Sequence, residues 1–356
     1  MIRSNDPRGP IIIQGPGAIG RLLAARLDRA GHAVQLLGRH GSRSEIDPGP
    51  RKRSVLLHEN GRRTHKASLL HRLPGESLPR SGSLLIVTTK AFDVREAIRE
   101  GLRSVTPTAP ILILSNGLGH DETLAELTEI RPTLLGTIAC GAWATGDLAV
   151  EDGEVHCVGD GPVVIGPSPA GDPIDASRVA DLLRSAGFDA HSTADGRRAQ
   201  WLKAALNCGL NPVATLLGSP NGEIPGSNYF SWAVEAARET ALVGRATGLD
   251  LPESGWRSRL EELCSATAPN RCSMLQDLDA GRQLEIDHLN EWVARRANRL
   301  QVPAPRNRRL ASAFAGDSRT LVRQFREALR QDGVSPVPSI EGTEPVHRTA
   351  EAEIGS

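Results

Sequence analysis

Residues 11–20 constrain the fold most. Ile11-Ile12-Ile13 is a short apolar run that reads as a buried strand, and Gly15-Pro16-Gly17-Ala18-Ile19-Gly20 follows it as a GxGxxG. Apolar Ile19, Leu22, Leu23, Leu27 and Ala30 then recur at helical spacing, and Gly31 suits the end of that helix. Val34-Gln35-Leu36-Leu37 reads as a second strand. Strand, glycine turn, helix and strand in this order open a dinucleotide-binding domain. Gly15 permits the tight turn, Gly17 lets the backbone approach a pyrophosphate, and Gly20 allows close helix–sheet packing. Free N–H groups at the helix N-terminus supply donors to the phosphate. The expected cofactor contacts are therefore Gly15, Pro16, Gly17, Ala18, Ile19 and Gly20.

A chain of 356 residues is too long for one ordinary core and suits two domains. Basic and acidic residues number 42 each, which removes the global pull on nucleic acid or an anionic membrane surface. Residues 39–80 hold an excess of Lys and Arg, but no aromatic residue for base stacking, so they read as a solvated hairpin and loops; part of the stretch could rim a phosphate site. No run approaches the roughly 18 apolar residues of a membrane span, and the N-terminus lacks the apolar region of a signal peptide. The five cysteines form an odd set with no CxxC pair, so neither a disulfide framework nor a metal site is suggested, and a reducing cytoplasm is the expected location.

Further buried parallel strands are expected at 84–87, 111–114 and 134–139, with helices near 92–103 and 121–129. Residues 143–166 read as hairpins extending the sheet antiparallel, followed by a helix over 175–186 and a strand over 189–192. From about Ala194 strand signals vanish, and helices are expected at 198–217, 230–247, 254–267, 270–280, 284–300 and 317–330. The domains are thus 1–193, a Rossmann-type α/β unit, and 194–330, an all-α unit. Proline and small polar residues without periodicity make 331–356 an expected disordered tail.

The second strand ends in Gly38-Arg39-His40, without the acid that holds a ribose 2′-hydroxyl in NAD enzymes. Arg39 suits a 2′-phosphate, so NADP(H) is the expected cofactor. Thr89-Lys90-Ala91 and Ser115-Asn116-Gly117-Leu118-Gly119 follow two strands, at the sheet edge where open α/β sheets bind ligands. Only four of the 42 basic residues are lysines (Lys52, Lys66, Lys90 and Lys203), and a lysine retained among so many arginines can donate a proton near neutral pH, as Arg cannot. Lys203, Asn207 and Asn211 stand at i, i+4 and i+8 and share one helix face, and Pro212 should kink or end that helix. Glu285 falls at the start of a predicted helix, where a carboxylate suits the dipole.

Together these motifs, with Ser273-Met274-Leu275-Gln276-Asp277 and Glu285-Ile286-Asp287, resemble the ketopantoate reductases over roughly residues 10–310. The resemblance implies an N-terminal Rossmann-type domain and a C-terminal all-α domain of the 6-phosphogluconate-dehydrogenase-like type. It implies reduction of 2-dehydropantoate to (R)-pantoate by NADPH, in pantothenate and coenzyme A synthesis, in the cleft between the domains. Lys203 takes the place of the general acid and Glu285 that of the residue holding the substrate's terminal hydroxyl. Asn207, Asn211 and Ser273 match polar substrate contacts, and Lys90 and Asn116 match residues lining the cofactor and the reacting end of the substrate. Ser115, Cys272 and Leu284 depart from the family pattern. A different branched 2-oxo acid, or a non-catalytic NADP-binding sensor, are the alternatives open at this point. Monomers and homodimers both fit.

Overall fold

The computed structural model describes residues 9–38, 51–72, 80–128, 131–148, 151–169 and 173–332. Arg39, and the part of the tail after Asp332, lie outside these residues. The first half runs β1 (Ile11–Gln14), α1 (Ala18–Arg29), β2 (Val34–Leu37), β3 (Arg51–Glu59), β4 (Arg62–Arg72), β5 (Leu84–Val87), α2 (Val94–Gly101), β6 (Ile111–Ile113), α3 (His120–Leu127) and β7 (Thr133–Ile138). It closes with β8 (Gly141–Thr145), β9 (Gly153–Gly159), β10 (Val163–Pro167), α4 (Pro173–Ser185) and β11 (Ala190–Ser192).

Among the described residues, eleven strands join one sheet in the order β11-β10-β7-β6-β5-β1-β2-β4-β3-β9-β8. The run β7-β6-β5-β1-β2 is parallel. Strands β1, β5 and β6 are buried at every residue, as expected where helices cover both faces. Ile11 and Ile13 pack in the cluster with α1, whereas Ile12 packs on the opposite face with α2. The chain leaves β1 toward β2 on one side and later toward β5 on the other, which places the switch point of the sheet at the glycine turn.

Two parts of the sheet differ from the sequence expectation. Residues 143–166 do not form a single antiparallel extension. Strands β8 and β9 pair antiparallel at one end of the sheet, but β9 joins it through a parallel ladder with β3. Strand β10 lies near the other end, antiparallel to β7. Local alternation indicates strands but not which distant partner they take. The basic stretch forms the expected hairpin, β3 and β4, but the hairpin is built into the sheet, with β4 parallel to β2 and β3 parallel to β9.

The second half is helical: α5 (Gly196–Leu217), α6 (Phe230–Ala246), α7 (Trp256–Ala266), α8 (Ser273–Asp279), α9 (Asn290–Leu300), α10 (Pro305–Ser312) and α11 (Ser318–Asp332). Helix α10 was not anticipated, and the expected helix over 284–300 begins only at Asn290, after a short 3-10 turn over Ile286–His288. The helix does not end at Pro212, as α5 runs through it to Leu217. A proline there removes the N–H that would bond to the Cys208 carbonyl. The fully buried Asn290 side chain replaces it, donating from Nδ2 to Cys208 O at 2.9 Å and to Asn307 Oδ1 at 3.0 Å. Replacing Asn290 by Leu leaves that carbonyl unsatisfied in the core. The expected loss is about 1–3 kcal/mol, measured as a lower urea midpoint with unchanged helical circular dichroism.

Candidate active site

Four parallel strands end at one edge of the sheet, and each brings a functional group there. Strand β1 runs into Gly15, whose φ is +107°. A Cβ on Gly15 would lie 2.9 Å from both the Thr89 backbone nitrogen and the Thr89 methyl, so the turn admits no side chain. A Cβ on Gly20 would lie 2.0 Å from Gly15 O, whereas one on Gly17 would meet nothing within 4 Å. Helix α1 starts at this open position with no side-chain cap, which leaves its first N–H groups for an anion. The residues present therefore fit a dinucleotide phosphate.

Strand β5 leads to Lys90 and strand β6 to the Asn116–Gly119 turn. Gly117 and Gly119 have positive φ, and each meets the helical half closely. A Cβ on Gly117 would lie 3.0 Å from His288 Cβ, and one on Gly119 would lie 2.6 Å from Trp292 Nε1. The Leu118 N–H donates to His288 O at 3.0 Å. Asn116 is half-buried, and its carbonyl lies 2.8 Å from Nε2 of His120. Burial drives the His120 imidazole down to about 4.

Strand β7 ends at Ile138, whose carbonyl accepts a 2.7 Å hydrogen bond from Lys203 Nζ. Asp195 caps α5 by accepting from the Arg198 N–H, and Lys203 follows about two turns later. Taking the ammonium out of water drives its pKa down to about 8, against the opposing pull of the Glu285 carboxylate. Asn207 is half-buried and Asn211 buried along the same helix, and neither amide hydrogen-bonds to another described residue. Ser273 opens α8 and is exposed; its neighbour Cys272 places Sγ 3.6 Å from Asn211 O.

Glu285 does not cap an α-helix as anticipated. Its Oε1 accepts the Ala91 N–H at 2.9 Å, and its Oε2 lies 3.5 Å from Lys90 Nζ. Lys90 donates to Asp277 Oδ2 at 2.6 Å, while Arg282 Nε donates to Asp277 Oδ1 at 2.8 Å. Both carboxylates are buried, so each needs these donors. The geometry thus gathers the glycine turn, Lys90, the Asn116 turn, Lys203 and Glu285 along one edge, with Asn207 and Asn211 extending from it. Arg39 lies outside the described residues. Asp277 carried no role in the sequence reading, and the contributions of Ile138 O and Ala91 N are backbone groups without a sequence signature.

The family model described as "Ketopantoate reductase PanE/ApbA" matches residues 11–170, and "Ketopantoate reductase PanE/ApbA C terminal" matches residues 195–316. The chain belongs to the ketopantoate reductase family. Among its relatives, the 2-dehydropantoate 2-reductase of Salmonella typhimurium is 33% identical over 302 residues, spanning 84% of this chain and 92% of that protein. The Halobacterium salinarum 2-dehydropantoate 2-reductase is 31% identical, spanning 85% and 96%. The solved 2-dehydropantoate 2-reductase of Geobacter metallireducens is 27% identical with a TM-score of 0.71, covering 88% of this chain and 99% of that one. A D-mandelate dehydrogenase solved with NADH and anilino(oxo)acetate shares the fold at 22% identity and TM-score 0.75, covering 90% and 99%.

In this member of the family, the Lys90–Asp277–Arg282 group joins the two halves. Asp277→Ala leaves two cations short of a partner and is expected to cost about 1–3 kcal/mol. Asp279→Ala, which removes only an exposed pair with Arg271, should cost under about 1 kcal/mol. Urea denaturation of the two variants side by side checks this difference.

Proposed function

We propose that the chain is an NADPH-dependent 2-dehydropantoate 2-reductase that forms (R)-pantoate for pantothenate and coenzyme A synthesis. The reading divides it into a dinucleotide-binding unit, 1–193, and a substrate unit, 194–330, with the reaction between them. The observation that carries it is Lys203, an ammonium held at the sheet edge with its pKa lowered to about 8.

When bound at the glycine turn, a reduced nicotinamide supplies the hydride. Hydride arriving at the carbonyl carbon builds negative charge on the 2-oxo oxygen. Lys203 stabilises that charge and donates its proton to the oxygen, which completes the alcohol and leaves a neutral amine to be reprotonated from water. A lowered pKa makes Lys203 a stronger acid than a solvated lysine while leaving it largely protonated at neutral pH. Asn207, Asn211 and Ser273 orient the substrate carboxylate and oxo group. Glu285 uses Oε1 on the Ala91 N–H and offers Oε2 to the substrate's terminal hydroxyl, while Lys90 and Asn116 line the cofactor. The family departures Cys272 and Leu284 adjoin Ser273 and Glu285 in the chain, so a different branched 2-oxo acid is the alternative substrate. Arg39, following β2 in place of an acid, supports NADPH over NADH.

Ketopantoate-dependent oxidation of NADPH, with NADH beside it, tests the reading. Rapid turnover with NADPH alone is expected. Equal turnover with NADH would remove the Arg39 argument and leave the chemistry. Turnover only with another branched 2-oxo acid would replace the substrate, and cofactor binding without turnover on any of them would make the chain a sensor. Lys203→Ala should lower kcat by roughly 10²–10⁴-fold with cofactor affinity little changed. The active form of Lys203 is the protonated one, so kcat/KM should be maintained below about pH 8 and fall as pH rises through that value. A pH–rate profile in which Lys203→Ala lacks this basic limb checks the sign.

A further inference from the structure

A second group of ligating side chains lies far along the sheet from the active-site edge. His58 of β3 and His156 of β9 are direct register partners in the parallel ladder, and Glu154 precedes His156 by two residues. Side chains alternate across a sheet, and the intervening Leu57 and Val155 are fully buried in the core with α1. His58, Glu154 and His156 therefore share the opposite face, where each is partly accessible. That face is close to the end of the sheet, since among the described strands only β8 lies beyond β9.

The three side chains already converge. Glu154 Oε2 lies 3.1 Å from His156 Nε2 and 3.7 Å from His58 Nε2. One ligand atom from each residue falls within 4.8 Å of the other two. The two imidazoles stack with centroids 4.3 Å apart and planes 16° from parallel. Trp143, the register partner of His156 on β8, stacks on its other side at 3.7 Å. His58 Nε2 is buried and makes no hydrogen bond. The same face also carries Arg63, the partner of His58 on β4.

We propose that His58, Glu154 and His156 form a binding site for one divalent transition-metal ion of the zinc, nickel and copper class, clamping β3 to β9. Two imidazoles and one carboxylate form a donor set suited to these ions, whereas calcium and magnesium prefer oxygen alone. Metal–nitrogen bonds of about 2.0 Å put tetrahedral donors about 3.3 Å apart. The carboxylate is already near that spacing from both imidazoles. Because an imidazole lone pair lies in the ring plane, coordination by both rings requires the His58 ring to swing out of the stack. Water fills the remaining coordination positions. The ion would join two strands that no hairpin connects, so its binding adds to folding stability by mass action.

The test uses the full chain, free of any affinity tag and stripped with a chelator. Calorimetric titration with Zn²⁺ is expected to give one ion per chain and a rise in Tm. Cu²⁺ should quench Trp143 fluorescence and give an electron paramagnetic resonance spectrum with two imidazole nitrogens. His58→Gln and His156→Gln should each weaken Zn²⁺ binding by at least the ~10-fold that loss of an outer-shell partner alone costs. They should also abolish the Tm rise and leave reductase turnover unchanged, which confirms folding. Absence of binding by the unaltered chain overturns the proposal. So does equal affinity and stoichiometry in the double variant, or Cu²⁺ held through a single imidazole.

Discussion

The Glu285 carboxylate ties the helical half of the molecule to the loop that follows β5. A carboxylate buried to this degree is costly unless donors surround it, and here the Ala91 N–H and the Lys90 ammonium supply them. Asp277 holds the same ammonium from α8, so Lys90 is shared between two acids of the second domain. Once this contact is made, the neighbouring approaches follow. The Asn116–Gly119 turn comes within backbone hydrogen-bonding distance of His288, and Lys203 reaches the end of β7. The low polarity that makes these groups demand partners also lowers the Lys203 pKa, so the packing of the two halves and the acidity proposed for catalysis have one physical origin.

Helix α5 carries Lys203, Asn207 and Asn211 through the centre of the second half, and its continuity past Pro212 depends on a buried polar network. Asn290 replaces the missing donor to Cys208 O and bonds to Asn307, which donates in turn to Ala236 O and to Glu239. The Asn290 and Asn307 NH2 groups each donate twice within this network, while Asn290 Oδ1 stays buried without a partner; in a medium that screens poorly those four bonds hold the two side chains in one arrangement. The helix that presents the proposed acid is therefore held from α9 and α10 as well as from its own backbone.

Much of the first half was legible in the sequence. The glycine spacing, the β-branched run before it and the apolar strands at 84–87, 111–114 and 134–139 all correspond to observed elements, because each is specified by local sterics and by burial on both faces. The partners of β8, β9 and β10 were not legible, since a strand's own alternation says nothing of which distant edge receives it. Helix α10 is short and mostly polar on its exposed side, and it had no strong periodic signal to reveal it. For the site, the stripe on α5 and the segments at 90, 116 and 285 were visible. Their meeting was not, and neither was the role of Asp277, whose importance comes from a lysine almost two hundred positions away.

By itself, the sequence determined the class of the fold, the glycine turn and the scarcity of lysine that drew attention to Lys203. These follow from the conformations that glycine alone adopts easily and from side-chain chemistry, neither of which needs a distant neighbour. Only the tertiary structure decided that α5 runs past Pro212, that Glu285 reaches Lys90 and Ala91 across the molecule instead of capping an α-helix that follows it in sequence, and that His58 lies beside His156. Each depends on a group supplied from far along the chain. Burial turns such a contact from an option in water into a requirement, because an unpartnered polar group in the interior has no solvent to satisfy it.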